Sequence, residues 1–266
     1  MRIALTIAGS DSSGGAGIQA DLKTFAAFGV YGASAITAVT AQNTKGVSAW
    51  EPISTELVIA QIETVASDIP PDAVKTGMLA SAAIVEAVAA TIEELELPNL
   101  VVDPVMVAKG GSRLLRDDAI AALVAELLPR AEVATPNIPE AEVLVGFPIR
   151  TLDEMREAAR RIRKLGPRVV VLKGGHLPPS ESDPDSCVDV VSSAQADFDV
   201  RGARIETRRT HGTGCTFAAA ITAALALGQP VEQAIRGARE YVEGAIRSAP
   251  QIGSGHGPLN HFWRVY

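Results

Sequence analysis

A glycine-rich turn at residues 209–216 is the segment of this 266-residue chain best suited to chemistry, because it combines glycines, hydroxyl residues and a cysteine. It directly precedes a strongly apolar run, residues 217–227, which predicts a helix. A glycine-rich turn that opens a helix points several backbone N–H groups at one spot, where the helix dipole also favours negative charge. The segment therefore predicts a site at residues 212–215 for a phosphate or for the charge of a transition state.

Cys215 is the candidate base beside this site. It would lie in the first turn of the helix, where thiol pKa values tend to fall, so we expect a partial thiolate at a pH of about 7–8. Two other interpretations stay open. Cys215 is either a small core residue that follows a flexible turn, or the nucleophile of a hydrolase in which His211 activates the thiol.

Charge and hydropathy exclude several classes of protein. The formal net charge of −7 disfavours general nucleic-acid binding, which needs a basic surface. No apolar run reaches the roughly 18 residues of a membrane-spanning helix, so no membrane partner is expected. Residues 8–11 interrupt the first apolar run too early for a signal peptide. Two cysteines, Cys187 and Cys215, are too few for a disulfide framework, which favours a reducing, cytoplasmic setting.

Short apolar runs alternate with segments of helical period, which predicts an α/β fold with a mainly parallel sheet and helices on both faces. Neither a repeat nor a linker divides the chain, so we expect residues 1–266 to form a single domain. The proline-rich residues 178–184 predict a mobile loop. The predicted strands are residues 3–8, 33–41, 73–75, 100–103, 132–135 and 168–173, with antiparallel strands within 186–206. The predicted helices are residues 18–28, 56–67, 80–95, 117–128, 152–165, 213–227 and 231–248.

Distinctive polar or glycine-rich segments follow the ends of the predicted strands. In an open α/β sheet, ligands bind in the crevice outside the carboxyl ends of the strands. The convergence of these segments predicts one site at that edge of the sheet more strongly than any single motif does. The segments are residues 9–17, 42–44, 76–78, 103–106, 135–137 and 173–176.

Several familiar motifs are missing from the chain. It has no Gly-Lys dipeptide and no G-x-G-x-x-G pattern, which disfavours P-loop NTPases and simple NAD-dependent dehydrogenases. It also has no H-E-x-x-H and no cysteine pair at zinc spacing, which disfavours zinc hydrolases. Phosphoryl transfer remains as a candidate reaction, because its catalysis depends on positioning and electrostatic stabilisation more than on covalent chemistry. The candidate parts are the anion site, Lys173 beside two glycines, and the carboxylates of Asp103 and Glu140 to organise Mg²⁺.

In combination, these segments resemble the ribokinase-like superfamily, and within it the hydroxymethylpyrimidine/phosphomethylpyrimidine kinases of thiamine biosynthesis. The resemblance implies a ribokinase-like three-layer α/β fold, ATP and Mg²⁺ as co-reactants, and a homodimer. It further implies transfer of the ATP γ-phosphate to 4-amino-5-hydroxymethyl-2-methylpyrimidine and then to its monophosphate. The matching segments span nearly the whole chain: residues 6–25, 40–44, 75–79, 102–107, 135–140, 172–176, 211–216 and 255–261.

The resemblance also implies roles for single residues. Cys215 takes the position of the catalytic base, where sugar-kinase relatives have aspartate, and Lys173 that of a lysine near the phosphate and the substrate alcohol. Residues 107–110 lack the further acid that some relatives carry after Asp103. The remaining assignments are Gly212, Thr213 and Gly214 for the anion hole; Asp21, Gln42, Met78 and Gly9 for the pyrimidine; Asn137, Lys173, Gly174 and Thr213 for the nucleotide; and Glu140 and Asp103 for the metal.

Three alternatives stay open beside this reading. A pyridoxine or pyridoxal kinase, or a dual-specificity enzyme, would share the glycine-rich segments and the cysteine, although Gln42 and residues 173–176 favour the pyrimidine enzyme. A sugar kinase is disfavoured because Cys215 replaces the usual aspartate. A non-catalytic ligand sensor would not need the intact set of Cys215, Asn137, Glu140 and Lys173.

Overall fold

One mixed sheet runs through the computed structural model, which describes residues 1–106, 117–178 and 183–265. Residues 107–110 and most of the predicted loop at 178–184 therefore lie outside the described residues. The strands are β1 (Ile3–Asp11), β2 (Tyr31–Asn43), β3 (Gly46–Pro52), β4 (Ala73–Thr76), β5 (Leu100–Val102), β6 (Val133–Ala134), β7 (Val169–Leu172), β8 (Ser186–Ser193) and β9 (Asp197–Ala203). Their order across the sheet is β3-β2-β1-β4-β5-β6-β7-β8-β9.

The central strands β2, β1, β4, β5, β6 and β7 pair in parallel with one another. The outer strands β3, β8 and β9 pair in antiparallel fashion. This arrangement confirms the mainly parallel sheet and the antiparallel strands expected within residues 186–206. β3 was not predicted. It forms the edge of the sheet and none of its residues is buried, so it lacks the apolar pattern of an internal strand.

The helices follow the predicted ones closely, with one addition. They are α1 (Gly17–Ala27), α2 (Thr55–Asp68), α3 (Ala82–Glu94), α4 (Asp117–Ala122), α5 (Ile138–Val145), α6 (Leu152–Arg163), α7 (Thr213–Ala226) and α8 (Val231–Arg247). α4 continues as a π-helical turn, Leu123–Leu127, and a 3-10 turn, Leu128–Arg130. α5 was not predicted as a helix, because it has only eight residues and contains a proline in its first turn.

The helices lie on both faces of the sheet because successive strand residues face opposite sides. In β5, Val102 packs with the buried residues of α2 and α3, whereas Val101 packs with those of α7 and α8. In β7, Val170 and Leu172 are covered by α5 and α6. The three-layer α/β fold is thereby confirmed.

α7 is the most deeply buried helix of those described, since residues 216–226 are all buried. Its alanines let the sheet and α8 approach closely on either side. This packing of α7 therefore also fixes the position of the preceding turn relative to the sheet. No helix in the described ranges has the length and the apolar surface that a transmembrane segment requires.

Candidate functional site

A cavity of about 860 Å³ opens outside the carboxyl ends of the parallel strands. Its wall is formed by the segments after these strands and by the turn that begins α7. Most of the predicted site residues line it: Gly9, Gln42, Met78, Asp103, Asn137, Glu140, Lys173, Gly212, Thr213, Gly214 and Cys215. Asp21 and Gly174 are not part of this wall.

Residues 212–215, which we call the anion turn, begin α7 with Gly212 at a left-handed φ of +79°. A side chain at Gly212 would overlap the carbonyl oxygen of Gly15, so glycine is required there. The Thr213 hydroxyl donates to the Thr210 carbonyl (2.8 Å), which tightens the turn. The first amides of a helix have no intrahelical acceptor, so the N–H groups of Gly214 and Cys215, two residues that line the cavity, are left for another acceptor.

The thiol of Cys215 differs from our expectation. Burial raises its pKa to about 11, and the opposing influence of the Lys75 cation does not cancel that rise. The carboxylates of Asp21 and Asp103 raise it further. The expected lowering at the helix start was therefore wrong for the unliganded protein, because desolvation outweighs the helix terminus. The free thiol is protonated near neutral pH.

His211 is not among the groups that shift the pKa of the Cys215 thiol, so the structure does not support a cysteine hydrolase. Its Nε2 lies 2.7 Å from Asp11 Oδ2, and both side chains are almost fully buried. Burial alone would raise the pKa of Asp11, but the hydrogen bonds from His211 and Ser13 lower it to about 2. Asp11 is thus a carboxylate at any working pH, and it holds the imidazole.

Lys173 and two carboxylates form the charged part of the cavity. Lys173 Nζ donates to Asp103 Oδ1 (2.9 Å), which also accepts from the Thr135 hydroxyl (3.2 Å). Burial alone would lower the pKa of Lys173, but Asp103 and Glu140 raise it, so the lysine is a cation. A Cβ at Gly214 would come within 3.3 Å of Lys173 Nζ, which places this cation beside the anion turn.

Asn137 and Glu140 form a capping box at the start of α5. The Asn137 side chain accepts from the Glu140 N–H (2.9 Å), and Glu140 Oε2 accepts from the Asn137 N–H (2.8 Å). Burial raises the pKa of Glu140 to about 7; Asp103 adds to the rise and Lys173 opposes it. The box and a backbone hydrogen bond from Met106 together fix the carboxyl group at the cavity wall.

The donor set fits a magnesium ion only sparsely. Within the described residues, no group of three or more His, Cys, Asp or Glu side chains comes close enough to hold a metal alone. Asp103 and Glu140 both line the cavity and are both oxygen donors. Mg²⁺ commonly binds through one or two carboxylates plus water and phosphate oxygens, so these two residues suffice if phosphate is present.

Asp21 and Gly174 lie outside the cavity wall, contrary to their predicted contacts. Asp21 is fully buried and accepts from Lys75 Nζ (2.8 Å) and the Thr6 hydroxyl (2.6 Å). The Gly174 N–H donates to Asp189 Oδ1 (2.8 Å), so it is not available to a phosphate. A side chain at Gly174 would overlap the carbonyl of Val188, which explains the glycine by close packing.

Three charged residues near the site were missed by our sequence analysis: Asp11, Lys75 and Asp189. Asp11 and Lys75 stand in segments that we had singled out, and both extend from strand ends. A charged residue inside an otherwise apolar strand, such as Lys75 in β4, was the available signal, because burying a charge requires a partner. Asp189 has no comparable local signal, since β8 has polar residues at several positions.

Comparisons with known proteins agree with this geometry. The sequence model of the family described as phosphomethylpyrimidine kinase matches residues 11–260. The hydroxymethylpyrimidine/phosphomethylpyrimidine kinase of Bacillus subtilis is 50% identical over 259 residues, which cover 97% of this chain and 94% of that protein. The solved ADP complex of Bacillus subtilis pyridoxal kinase has a TM-score of 0.89 and 42% identity, and the match covers 98% of this chain and 97% of that one. For phosphomethylpyrimidine kinase of Clostridium difficile the TM-score is 0.81 at 44% identity, with 92% and 100% covered. These matches confirm the resemblance, and the chain belongs to the phosphomethylpyrimidine kinase family.

Proposed function

We propose that this chain is an ATP-dependent kinase of thiamine biosynthesis. It phosphorylates 4-amino-5-hydroxymethyl-2-methylpyrimidine and then the resulting monophosphate. The observation that carries the proposal is the meeting of Cys215, the anion turn and Lys173 in one cavity, in a chain of this family.

The pyrimidine binds at the end of the cavity formed by Gln42, Met78 and Gly9. The Gln42 amide supplies polar contacts to the ring, and Met78 supplies an apolar surface that packs beside Gly9, where a Cβ would come within 3.3 Å of the Met78 sulfur. Since Asp21 lies below the wall, its part in substrate binding is indirect: it holds Lys75 in the floor of the site.

The nucleotide phosphates bind between the anion turn and Lys173. The substrate hydroxyl oxygen attacks the γ-phosphorus, the bond from that phosphorus to the β–γ bridging oxygen breaks, and ADP leaves. The N–H groups of Gly214 and Cys215 and the Lys173 cation stabilise the charge that develops on the transferred group. Asp103 and Glu140, together with Asn137, would hold Mg²⁺, which neutralises phosphate charge when bound.

Cys215 accepts the hydroxyl proton as the new bond forms. With a pKa of about 11 only a small fraction of the free thiol is ionised near neutrality, so this step favours alkaline pH. Replacing Cys215 by alanine should lower kcat by about 10²–10⁴-fold, the usual contribution of a general base, and should leave nucleotide binding intact. Near-normal turnover by Cys215→Ala would remove the thiol from this role.

The proposal is tested by substrate-dependent ADP release with Mg-ATP. Hydroxymethylpyrimidine, its monophosphate, pyridoxine and ribose are compared under the same conditions. We expect turnover of both pyrimidines and none of ribose. Absence of turnover with every compound would leave a ligand sensor as the better description.

Pyridoxal phosphorylation is the second candidate activity, alone or in a dual-specificity enzyme. It is favoured by the structural similarity to Bacillus subtilis pyridoxal kinase along nearly the whole chain. Both substrates are heteroaromatic rings that carry a hydroxymethyl group. Turnover of pyridoxine without turnover of the pyrimidines would favour this candidate and would show that Gln42 does not select the pyrimidine.

Three broader expectations accompany the proposal. Residues 1–266 act as a single domain, because the strands described all belong to one sheet. The enzyme works as a homodimer in the cytoplasm, as the resemblance and the small number of cysteines led us to expect. Light scattering tests whether the enzyme is a homodimer, and fractionation of the source cells tests whether it lies in the cytoplasm.

A further inference from the structure

The loop after β1 is closed on itself by the side chain of Asp11. Asp11 Oδ1 accepts from both the N–H and the hydroxyl of Ser13, each at 2.8 Å. Asp11 Oδ2 accepts from the N–H groups of Ala16 (2.8 Å) and Gly15 (3.2 Å). One carboxylate therefore fixes residues 11–16 as a unit, and the two ends of this unit, Asp11 and Ala16, line the cavity.

His211 joins this loop to the anion turn. Because a carboxylate oxygen only accepts, His211 Nε2 must carry the hydrogen in its 2.7 Å contact with Asp11 Oδ2. A side chain at Gly15 would overlap the imidazole ring, and one at Gly212 would overlap the Gly15 carbonyl. The two loops are thus packed closely against each other at Gly15 and Gly212. Gly212, the first residue of the anion turn, directly follows His211.

The same imidazole also touches Gln42. Gln42 Nε2 lies 3.4 Å from His211 Nε2. His211 Nε2 donates its hydrogen to Asp11, so this nitrogen has no lone pair with which to accept a hydrogen bond from Gln42. The two side chains are therefore only in packing contact, and the Gln42 amide hydrogens remain for a ligand. The main chain of Gln42 is tied separately to Ser12, whose hydroxyl accepts from the Gln42 N–H (2.8 Å) and lies 3.0 Å from the Gln42 carbonyl.

We propose that His211, held by Asp11, is a positioning residue that fixes the anion turn relative to the Gln42 amide. It thereby sets the distance between the transferred phosphate and the ring that accepts it. The inference rests on the proposed function, since it concerns the alignment of that reaction's two partners. A displacement of about 1 Å in such an alignment can lower the rate by about 10²-fold.

The test compares three variants with the wild type. His211→Leu removes the donor to Asp11 but keeps apolar bulk against Gln42. His211→Gln restores an N–H at nearly the same position as Nε2. His256→Leu is the matched control, because it removes an exposed imidazole at the rim of the same cavity, where its ring is not held by Asp11.

We expect His211→Leu to raise the Kd for hydroxymethylpyrimidine about tenfold and to lower kcat by about 10–100-fold, with the KM for ATP changed by less than about twofold. The Kd is measured by calorimetry without nucleotide, so it does not depend on turnover. His211→Gln should recover most of both losses, and His256→Leu should change the Kd less than His211→Leu does. The inference would be overturned if kcat of His211→Leu fell only in proportion to the fraction of protein that is folded, while the KM values for both substrates and the Kd for hydroxymethylpyrimidine stayed unchanged.

A spectroscopic measurement separates this inference from the proposed function. In ¹⁵N spectra of the wild-type protein, we expect signals of a His211 ring that carries a hydrogen on Nε2. We expect these ring signals to shift in the Asp11→Asn variant. A ring protonated only at Nδ1 would overturn the inference. Wild-type protein that turns over no pyrimidine would instead defeat the proposed function, and the ring measurement would still decide the Asp11–His211 contact. If His211→Leu does not fold, His211→Gln and Asp11→Asn provide the same comparison.

Discussion

Two lysine–carboxylate pairs near the site have the same chemistry but different access to solvent. In the sealed pair, Lys75 and Asp21 are 2.8 Å apart and both side chains are 0% exposed. In the open pair, Lys173 and Asp103 are 2.9 Å apart, the side chains are 15% and 3% exposed, and both line the cavity. From this difference we infer that the open lysine is free to leave its carboxylate for a phosphate in the proposed reaction, whereas the sealed lysine supports the structure beneath the site.

The sealed pair connects three elements beneath the cavity. Asp21 comes from α1 and Lys75 from β4, while the Thr6 hydroxyl of β1 donates to the same Asp21 oxygen at 2.6 Å. Burial alone would lower the pKa of Lys75, but the contact with Asp21 raises it, so its charge is permanent. That charge also reaches Cys215, whose pKa it lowers in part.

Replacing Lys75 by methionine should have the largest effect on stability. Asp21 would be left buried without its cation, which typically costs about 3–5 kcal/mol. Urea unfolding measures this change. Lys173→Met is the matched control, because its partner Asp103 faces the cavity and can be hydrated; its unfolding free energy should change much less. Equal losses in the two variants would break the distinction between the pairs.

Replacing Lys173 by methionine should have the largest effect on activity. In the proposed reaction, the cation beside the anion turn stabilises charge in the transition state, so we expect its loss to lower kcat/KM by about 10²–10³-fold. Steady-state ADP release measures this value, with circular dichroism to verify that the variant is folded. An active Lys173→Met variant would place the essential cation elsewhere.

Replacing each lysine by arginine should sharpen the comparison further. The sealed site has no spare volume: a Cβ at Gly77 would already come within 2.8 Å of Lys75 Nζ. Lys75→Arg should therefore destabilise the protein by about 1–3 kcal/mol through overpacking. Lys173→Arg keeps the charge in an open site and should fold normally. Thermal unfolding of both variants provides the comparison, and a normal melting temperature for Lys75→Arg would show that the floor is not sealed.

The pH dependence of Cys215 alkylation should show whether burial or the nearby Lys75 cation has the larger effect on the pKa of the thiol. Because burial raises its pKa to about 11, the thiolate fraction of the unliganded protein should rise with pH throughout the range below that value. Alkylation by iodoacetamide at pH 9 should then be roughly 100-fold faster than at pH 7, since each pH unit below the pKa changes the thiolate fraction tenfold. The rate is measured in a Cys187→Ala background. A plateau near pH 8 would mean that Lys75 and the helix start dominate after all.

The sequence allowed the fold and the position of the site to be predicted because both depend on local patterns. Apolar strands alternate with helical segments, and the distinctive segments all follow strands, so sheet geometry brings them together. The edge strand β3 escaped prediction because its exposed residues carry no apolar period. α5 escaped it because the helix has only eight residues and contains a proline in its first turn.

The charge states of the site could not be predicted in the same way. Lys75 and Lys173 each stand near a strand end with a glycine close behind, and nothing local distinguishes the sealed lysine from the open one. The pKa of Cys215 likewise depends on desolvation by elements that are distant in sequence, which reverses the direction expected from the helix start. Such properties arise from tertiary packing.

The most direct test of this account is substrate-dependent ADP release with Mg-ATP and hydroxymethylpyrimidine, measured for the wild type and for Lys173→Met side by side. The account predicts turnover by the wild type and a loss of about 10²–10³-fold in a variant that remains folded. Equal turnover by the two proteins, or unfolding of Lys173→Met, would contradict the claim that the open lysine serves the ligand and the sealed one the fold.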